Sequence, residues 1–583
     1  MQALWKYVKP HRMRLGWGFV MLLLTNASTM FIPHIFGAAV DAIDRESSPD
    51  VLARFALTLI LVACAGAVFR VLSRIHLFYV GRDVEHDIRN AYYTHLTKLS
   101  PNFFDTHPKG DLMTRATYEL TQIRLLAGPG ILNILNTSLA YSIAVPLMFR
   151  ISPKLTFLSM GIYIPTLFLV ARLSMKLFHQ NKSLQKEMGF LGNFVQENLA
   201  GSHLIRSFAI ESHQQKRFKA VNQSYYDAAV RVAFTRSYLW RLMVVFSGMG
   251  VLLALVVGST DVMRGEATLG ELVALVEYLA LLAWPSFALG WILSVYQRGM
   301  AAFERLEQVM HTTPEIVSGA LKPDPIHPAI EVKNLCFAIG PRTILDKISF
   351  RVEAGQTLGI VGPIGSGKTI LLKCLLRELD IPRGVVFLGE NDTLDLDLTS
   401  LRNSFSVVEQ TPKLFSRSLA DNIRFGAPGA GKSSLDEALE AAALLEDIQA
   451  LPQGLETMVG ERGVTLSGGQ KQRTALARAL LMQRPVLLLD DVLASVDTKT
   501  ENHIIAALQK RRAGKTTLIV SHRISAVQHA HKILVLEEGR IAEQGTHEEL
   551  LQMQGIYATM AHRQELIRHE TPEALEATAH AIQ

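Results

Sequence analysis

The chain is poor in the residues that mark several protein classes. Only three of its 583 residues are cysteines: Cys64, Cys336 and Cys374. They are scattered and odd in number, which excludes a disulfide framework, and their spacing matches no metal site. Charged residues make up only 19%. No clean small-residue cleavage site follows the first apolar run, which argues against a cleaved secretory signal.

Apolar residues are abundant instead. The chain is 49% hydrophobic with a positive mean hydropathy, which is high for a soluble protein. Its net charge of +6 is better explained by membrane-flanking Lys and Arg than by nucleic-acid binding. At this length one core is not enough, and two or three domains are expected.

Six apolar stretches in the first half are long enough to cross a membrane. They lie near 15–42, 55–80, 131–151, 154–174, 242–264 and 271–297, behind a short amphipathic elbow segment. Polar connections of helical periodicity follow the second and fourth stretches, so we expect these helices to project beyond the bilayer. We therefore predict a transmembrane domain over 1–311.

The distribution of charge predicts the orientation. The connections 81–130 and 175–240 are rich in Lys and Arg, whereas the first short loop carries Asp41, Asp44, Glu46 and Asp50. By the positive-inside rule, both long connections and both termini are cytoplasmic. The expected location is the cytoplasmic (inner) membrane, with multiple passes.

Three ionisable residues lie within or near the spans: Arg70, Arg74 and Glu277. One interpretation is a polar wall that contacts substrate. The alternatives are snorkelling to the interface or an interhelical ion pair. The sequence leaves the choice open.

A glycine-rich motif stands two-thirds of the way along the chain. Gly362-Pro363-Ile364-Gly365-Ser366-Gly367-Lys368-Thr369 follows the apolar run Thr357–Val361 and has the P-loop spacing. Its backbone N–H groups would cradle phosphate oxygens, while Lys368 supplies a charge and Thr369 a hydroxyl for Mg²⁺. The helix predicted over Ile370–Leu379 points its positive N-terminus at the same anion.

Further motifs follow in order after a Pro-rich linker over 312–329. Gln410 comes after the strand Phe405–Val408, and Leu466-Ser467-Gly468-Gly469-Gln470 opens a long helix. The strand Val486–Leu489 then ends in Asp490-Asp491, Asp497 lies in the next loop, and the strand Thr517–Val520 ends in Ser521-His522. We predict one α/β domain over 330–562 and a tail over 563–583.

With these motifs the chain resembles an ABC exporter half-transporter of the multidrug-resistance-like, type IV family. The resemblance covers nearly the whole length and is most specific at Leu466–Gln470. Phe103–Asp105 with Gly110–Leu112, and Ile205–Phe208 with Glu211, resemble its two coupling regions, and Val459–Gly463 resembles its loop before the signature. The implied fold is an α-helical six-span transmembrane domain followed by an α/β P-loop ABC ATPase domain.

The resemblance also implies roles. Two subunits close over two ATP molecules, each held by one P-loop and capped by the other subunit's signature, to export amphipathic drugs, lipids or peptides through the lipid bilayer. Asp491, His522 and Gln410 would be catalytic. Mg²⁺ would be bound by Thr369, Gln410 and Asp490. ATP would be bound by Ile339, Gly362, Pro363, Ile364, Gly365, Ser366, Gly367, Lys368, Thr369, Ser467, Gly468, Gly469 and Gln470.

Two positions depart from the family pattern. Asp491 stands where a Glu normally polarises the attacking water, and the missing methylene withdraws the carboxylate by roughly 1.5 Å. A displacement of about 1 Å can lower the reaction rate by about 10²-fold. Ile339 stands where an aromatic residue would stack on adenine. We therefore expect this site to bind ATP and hydrolyse it slowly. The intact signature would then serve the other site, which is completed by a second, different half-transporter subunit that carries Glu. The alternative is a homodimeric lipid or drug flippase with slow Asp-based hydrolysis.

Other functions weigh less. DNA-associated ABC ATPases share the signature but lack six spans, and importers usually keep spans and ATPase on separate chains. A gated channel or sensor that uses ATP without transport is an alternative that the sequence leaves open.

The stretch Gly426–Ser433 also fits the P-loop spacing, but no apolar strand precedes it, so we interpret it as a solvent loop before a helix over Ser434–Ile448.

Overall fold

The computed structural model describes residues 2–460, 466–493, 496–512 and 514–566. They form two compact units. The first comprises Met1–Lys98 and His107–Thr312; the second comprises Leu99–Thr106 and Thr313–Gln583. The first unit is helical and the second is α/β, which is the predicted fold class.

The first unit consists of long helices. Its α-helices are α1 (Gln2–Val8), α2 (Arg12–Asp44) and α3 (Pro49–Leu96), then α5 (Lys109–Thr114), α6 (Leu120–Leu125) and α7 (Ile131–Ile151), and finally α8 (Pro153–Ala200), α9 (Ser202–Ser207), α10 (Glu211–Met263) and α11 (Leu269–Met310). Two π-helical turns, Arg115–Glu119 and Leu126–Gly130, join α5, α6 and α7 into one continuous helix. The short helix α4 (Pro101–Thr106) belongs to the second unit.

The helices are long and apolar enough to cross a bilayer. Within the described residues five stretches meet both criteria: Ala3–Asp44, Pro49–Leu96, Lys109–Ile151, Glu211–Met263 and Leu269–Met310. The predicted fourth span lies on α8, whose 48 residues correspond to about 72 Å at 1.5 Å per residue. A hydrocarbon core is only about 30 Å thick, so α8 and α10 extend far beyond it.

Small residues and caps set how the helices meet. A Cβ atom on Gly37 of α2 would lie 2.4 Å from the carbonyl oxygen of Gly270 of α11, so only glycine permits this approach. One turn along α2, Asp41 accepts hydrogen bonds from the Thr268 hydroxyl (2.8 Å) and the Gly270 N–H (2.7 Å). The carboxylate thus satisfies an orphan donor at the N-terminus of α11.

Helices α8 and α10 form a hairpin connected through α9. Ser152 caps the start of α8 by accepting a hydrogen bond from the Leu155 N–H at 3.3 Å, and Pro153 occupies the first turn, where no donor is lost. Near the opposite end of α10, Asp261 is buried and pairs with Lys154 at 3.0 Å. At the α9 end, Leu204 and Phe208 are 61% and 72% exposed.

The described residues of the second unit form ten strands: β1 (Ile330–Ile339), β2 (Arg342–Val352), β3 (Thr357–Val361), β4 (Val386–Leu388), β5 (Asn391–Asp392), β6 (Phe405–Val408), β7 (Val486–Asp490), β8 (Thr516–Val520), β9 (Lys532–Glu537) and β10 (Arg540–Gly545). Its helices after α4 are α12 (Lys368–Leu375), α13 (Leu398–Asn403), α14 (Leu419–Ile423), α15 (Lys432–Ala441), α16 (Leu445–Ala450), α17 (Gly468–Leu481), α18 (Thr498–Arg511), α19 (Ile524–Val527) and α20 (His547–Gln552). Residues 556–566 are also helical.

Two sheets organise these strands. One has the order β2-β1-β4-β5, with antiparallel pairs. The other has the order β10-β9-β3-β8-β7-β6, in which β9, β3, β8, β7 and β6 run parallel. The parallel strands are nearly continuous apolar runs, as expected for strands covered on both faces. Their carboxyl ends share one edge, where the loops after β3, β6, β7 and β8 come together.

Candidate nucleotide site

The P-loop lies at this edge, between β3 and α12. Gly362 has φ 151°, and a Cβ atom there would lie 2.1 Å from the carbonyl oxygen of Leu536. Gly367 has φ 99° and directly precedes α12, beside Ile344 and Leu345 of β2. Only glycine combines these backbone angles with such close neighbours. The sequence pattern therefore specifies the loop geometry and the direction of the helix N-terminus.

Lys368 is buried against the loop that precedes it. Its Nζ donates hydrogen bonds to the carbonyl oxygens of Gly362 (2.9 Å) and Pro363 (2.8 Å) and to the Ser366 hydroxyl (3.2 Å). Burial lowers the pKa of Lys368, and the nearby carboxylates of Asp491 and Asp490 oppose that shift. The ammonium group is thus held at the loop by acceptors that surround it.

Ile364 is 93% exposed at the tip of the loop, and Pro363 and Gly365 are also exposed. Ser366 is buried. The loop therefore presents its backbone to solvent on one side and is anchored by Ser366 and Lys368 on the other.

Thr369 and Asp490 meet across the edge of the sheet. The Thr369 hydroxyl donates to Oδ2 of Asp490 at 2.9 Å. Burial raises the pKa of the Asp490 carboxyl, whereas the Thr369 hydrogen bond lowers it. A hydroxyl beside a buried carboxylate supplies the hard oxygen ligands that Mg²⁺ prefers, so the donor set fits that ion.

Asp491 has an unusual backbone conformation. Its φ is 50°, a left-handed region that Asp and Asn occupy more readily than most other residues. Its N–H donates to the carbonyl oxygen of Val520 at 2.8 Å, and its Oδ1 accepts from the His522 N–H at 3.3 Å. Asp491 is buried, with a relative exposure of 7%. One strand end thus joins Asp491 to the segment that carries His522.

The remaining residues predicted around the phosphates are more exposed. Gln410 follows β6, the strand beside β7, and is exposed. Ile339 ends β1 and is 56% exposed, whereas Phe337 packs partly into the core between the sheets. The β1–β2 hairpin runs beside the P-loop, since β2 contacts Gly367. Ile339 therefore offers an exposed aliphatic surface near this loop.

The signature segment begins helix α17. Ser467 caps that helix: its hydroxyl accepts from the Gln470 N–H at 3.3 Å, and its own N–H donates to the Gln470 side chain at 3.0 Å. This is a capping box. Ser467 and Gly468 are exposed, while Gly469 is half-buried. A helix N-terminus with exposed N–H groups is a natural anion site.

Several residues that support this machinery lie outside every motif. Asp447 of α16 accepts from the Gln470 side chain at 3.1 Å and pairs with Arg473 at 2.6 Å, which fixes the start of α17. Glu501 of α18 is buried and pairs with Arg523 at 2.7 Å. No sequence signal marks these carboxylates, because their partners are distant along the chain.

Gln564 holds the backbone directly after His522. Its Nε2 donates to the carbonyl oxygen of His522 at 2.6 Å, and its Oε1 accepts from the Ile524 N–H at 2.9 Å. Gln564 is 42 residues away and lies in the last described helical segment. The backbone that carries the predicted γ-phosphate contact is thus tied to the C-terminal end of the domain.

Other predicted features have mixed outcomes. Asp497 caps α18 by accepting from the Lys499 and Thr500 N–H groups, each at 3.1 Å. Glu461, Arg462 and Gly463 of the loop predicted before the signature, and 567–583 of the predicted tail, lie outside the described residues. Gly426–Ser433 follows a short 3₁₀ helix rather than a strand, and none of its glycines has a positive φ.

The ionisable residues of the spans have different surroundings. Arg70 is exposed within this chain and donates to the Thr29 hydroxyl at 3.4 Å. Arg74 is also exposed. Glu277 is half-buried, and its Oε2 is a buried oxygen with no hydrogen-bond partner among the described residues. Whether any of the three meets substrate stays a prediction.

Two family models match the chain, one for each unit. The model described as ABC transporter transmembrane region matches residues 15–286, and the model described as ABC transporter matches residues 345–494. The probable multidrug resistance ABC transporter ATP-binding/permease protein YheI of Bacillus subtilis is 35% identical over 570 residues, which cover 97% of each chain. The chain belongs to the ABC exporter family.

Other relatives agree with this exporter assignment. The multidrug resistance-like ATP-binding protein MdlA of Escherichia coli is 33% identical, covering 97% of this chain and 96% of its own. The ATP-dependent lipid A-core flippase of Syntrophus aciditrophicus is 30% identical, covering 95% and 93%. The structure of a bacterial Atm1-family ABC exporter with ATP bound has a TM-score of 0.81 and 28% identity, covering 95% of this chain and 99% of that one.

The exporter is therefore an ATP-hydrolysing membrane transporter with its transmembrane and ATPase domains on one chain. Its nucleotide domain binds ATP, and exporters of this family work as dimers in a lipid bilayer. The prediction of an ATP-driven exporter of the multidrug-resistance-like family is confirmed.

Proposed function

We propose that this exporter is the slow-site subunit of a heterodimer that moves amphipathic molecules out of the cytoplasm. Asp491 carries the proposal. It stands at the position of the water-polarising Glu, its carboxylate accepts a hydrogen bond from the His522 N–H, and its side chain is one methylene shorter. A general base must come within about 2.6–3.2 Å of the proton it takes, or act through one water.

The intact signature supports a role in a second site. Ser467 and Gly468 are exposed at the start of α17, and Asp447 holds Gln470 in place. Such a helix N-terminus can cap the γ-phosphate of an ATP held by a partner's P-loop. A partner that carries Glu after its strand Asp would then hydrolyse that ATP, while the ATP at Lys368 and Thr369 acts as a clasp.

The roles within this chain's own site follow from its geometry. Lys368 and the loop N–H groups would bind the phosphates, with Gln410 and His522 placed after β6 and β8, the two strands that flank β7. Thr369, Asp490 and Gln410 would hold Mg²⁺, which when bound neutralises phosphate charge. Closure of the two domains would favour the outward-open state of the spans, since ATP binds the closed state more tightly.

Dimerisation also accounts for the exposed α9 segment. The apolar side chains of Leu204 and Phe208 stand out from the tip of the α8–α10 hairpin, and monomeric proteins rarely leave such contiguous apolar surface exposed without a partner. We propose that a second half-transporter covers this tip. The charge distribution supports cytoplasmic termini in the inner membrane.

ATPase turnover of the purified chain tests the slow site. We expect slow hydrolysis from the chain alone, and a rise of about 10- to 100-fold in the Asp491→Glu variant, because the longer side chain restores the reach of the carboxylate. Asp491→Asn is the matched control and should not rise. Vigorous turnover by the unmodified chain, or no gain in Asp491→Glu, would overturn the slow-site proposal.

A homodimeric flippase with two slow Asp sites is the second candidate. The relatives named lipid A-core flippases match most of this chain, and this similarity supports the flippase candidate. Co-purification separates the two: a tagged copy that captures an untagged copy in stoichiometric amount favours the homodimer.

A further inference from the structure

A concave site lies between α8 and α10, away from the nucleotide motifs. Its volume is about 330 Å³. Six residues line it, namely Lys176, His179, Gln180 and Ser183 of α8 and Ala228 and Arg231 of α10. The volume falls at the small end of the range for ligand pockets.

The cavity is lined by positive charge without a carboxylate. Lys176 and Arg231 are its permanent cations, and neither forms an ion pair with any residue that the structure describes. The carboxylate nearest along α10 is Asp227, which accepts a hydrogen bond from Gln223 at 2.9 Å instead. Two unpaired cations facing one concavity repel each other, and a bound anion removes that repulsion.

One neutral group in the cavity also lacks a partner. Oε1 of Gln180 is buried and has no hydrogen-bond partner among the described residues. Since the two ends of an amide are nearly interchangeable in shape, a half-turn presents the NH₂ group at the same place. The Ser183 hydroxyl can donate as well. These groups suit a ligand with several oxygen acceptors.

The depth of the site places it at a membrane surface. Lys176 comes 22 residues after Lys154 on α8, a distance of about 33 Å along the helix. Lys154 pairs with Asp261 where α8 begins and α10 ends, so Lys176 lies just past a hydrocarbon core of about 30 Å. This is the level of the lipid headgroups on the side of α9.

Apolar side chains continue from the same helix faces toward the bilayer. Phe168 lies eleven residues before His179, and Tyr238 lies seven after Arg231, spacings that return to the same face of a helix. They are 67% and 59% exposed. An amphiphile with its charged end in the cavity would thus find apolar surface above it.

We propose that this cavity binds the anionic phosphate headgroup of an amphiphile, with Lys176 and Arg231 as the charged donors. The inference rests on the proposed function for its orientation and names the substrate class as anionic amphiphiles. Arg supplies a planar fork for phosphate oxygens and Lys a point charge, and charge-assisted bonds of this kind are the stronger ones.

Native mass spectrometry of the delipidated full-length exporter tests this directly. Titration with phosphatidylglycerol should give a saturable retained lipid, and phosphatidylcholine should not. The Lys176→Ala/Arg231→Ala variant should weaken retention by about tenfold or more, the loss expected when charged donors are removed. The matched control is Lys182→Ala/Arg236→Ala, which removes the same charge from positions of the same helices that do not line the cavity and should bind as the unmodified chain does.

Equal weakening in the two double variants, or equal retention of the two lipids, would overturn the site. Competition by millimolar glycerol 3-phosphate, lost only in the cavity variant, would support the site and show that the phosphate alone suffices. Lipid retention is measured without turnover, so an exporter that fails the ATPase test can still pass this one.

Discussion

Gln564 is expected to control turnover from outside every recognised motif. Its two hydrogen bonds, to the His522 carbonyl oxygen at 2.6 Å and from the Ile524 N–H at 2.9 Å, restrain the backbone that carries this histidine. Each such bond contributes about 0.5–1.5 kcal/mol net, so Gln564→Ala removes about 1–3 kcal/mol of restraint. If the transition state uses this restraint fully, kcat falls by about 5- to 160-fold.

A phosphate-release assay on the chain purified alone, where only its own site can hydrolyse ATP, measures this effect. The KM for ATP should change little, because the P-loop contacts are intact. Gln564→Glu keeps the acceptor for the Ile524 N–H but loses the donor to the His522 carbonyl oxygen. Its kcat should lie between those of the unmodified chain and Gln564→Ala. Glu565→Ala is the matched control, because that neighbouring side chain is exposed.

The decisive comparison is a double-mutant cycle. In a His522→Ala chain the further change Gln564→Ala should have almost no effect, since the restraint then has nothing to position. An equal loss of kcat in both backgrounds would refute the reasoning and leave Gln564 a merely structural residue. So would a kcat within twofold of the unmodified chain.

Three more outcomes are expected. Asp447→Ala should lower ATPase turnover by about tenfold, because the Gln470 side chain of the signature loses its hydrogen-bond acceptor. Turnover measured over a range of ATP concentrations at fixed protein concentration checks this. Burial raises the pKa of the Cys374 thiol to about 12, so a disulfide reagent at pH 8 should label exposed Cys336 and leave Cys374 unlabelled until the chain is unfolded. Lys154→Ala should lower the melting temperature in detergent, because the buried carboxylate of Asp261 loses its partner; an unchanged melting temperature would contradict this.

The arrangement of the phosphate site was predictable because parallel strands end at one edge. The runs Thr357–Val361 and Phe405–Val408 match β3 and β6 residue for residue. Gln410, Asp490 and His522 therefore come to neighbouring strand ends without any long-range information. The glycine spacing of the P-loop likewise determines its own geometry.

Helix ends were less predictable. The helix after the P-loop begins at Lys368 rather than Ile370 and ends at Leu375 rather than Leu379. Arg377, just past the helix end, adopts a left-handed φ of 47°. Its guanidinium group donates hydrogen bonds to the carbonyl oxygens of Thr393 and Val317. The single helix predicted over Ser434–Ile448 is wrong as well: it is two helices, α15 and α16, separated near Ala443 with φ 51°.

The contacts of Asp447, Glu501 and Gln564 could not be predicted at all. Each carboxylate or amide meets a partner more than 20 residues away, and none lies in a periodic or motif position. The left-handed backbone conformation of Asp491 could not be predicted either. It depends on the Val520 carbonyl of a neighbouring strand, which local sequence does not reveal.

The exposed tip of the α8–α10 hairpin has a consequence for how cells make this exporter. In the proposed orientation, a newly inserted copy presents the exposed side chains of Leu204 and Phe208 to the cytoplasm until a partner arrives, and an uncovered apolar surface of this kind favours aggregation and proteolysis. The abundance of each half-transporter should then follow that of the other, since binding stabilises the folded subunit by mass action. Balanced synthesis of two subunits would protect this chain, and excess copies would be removed.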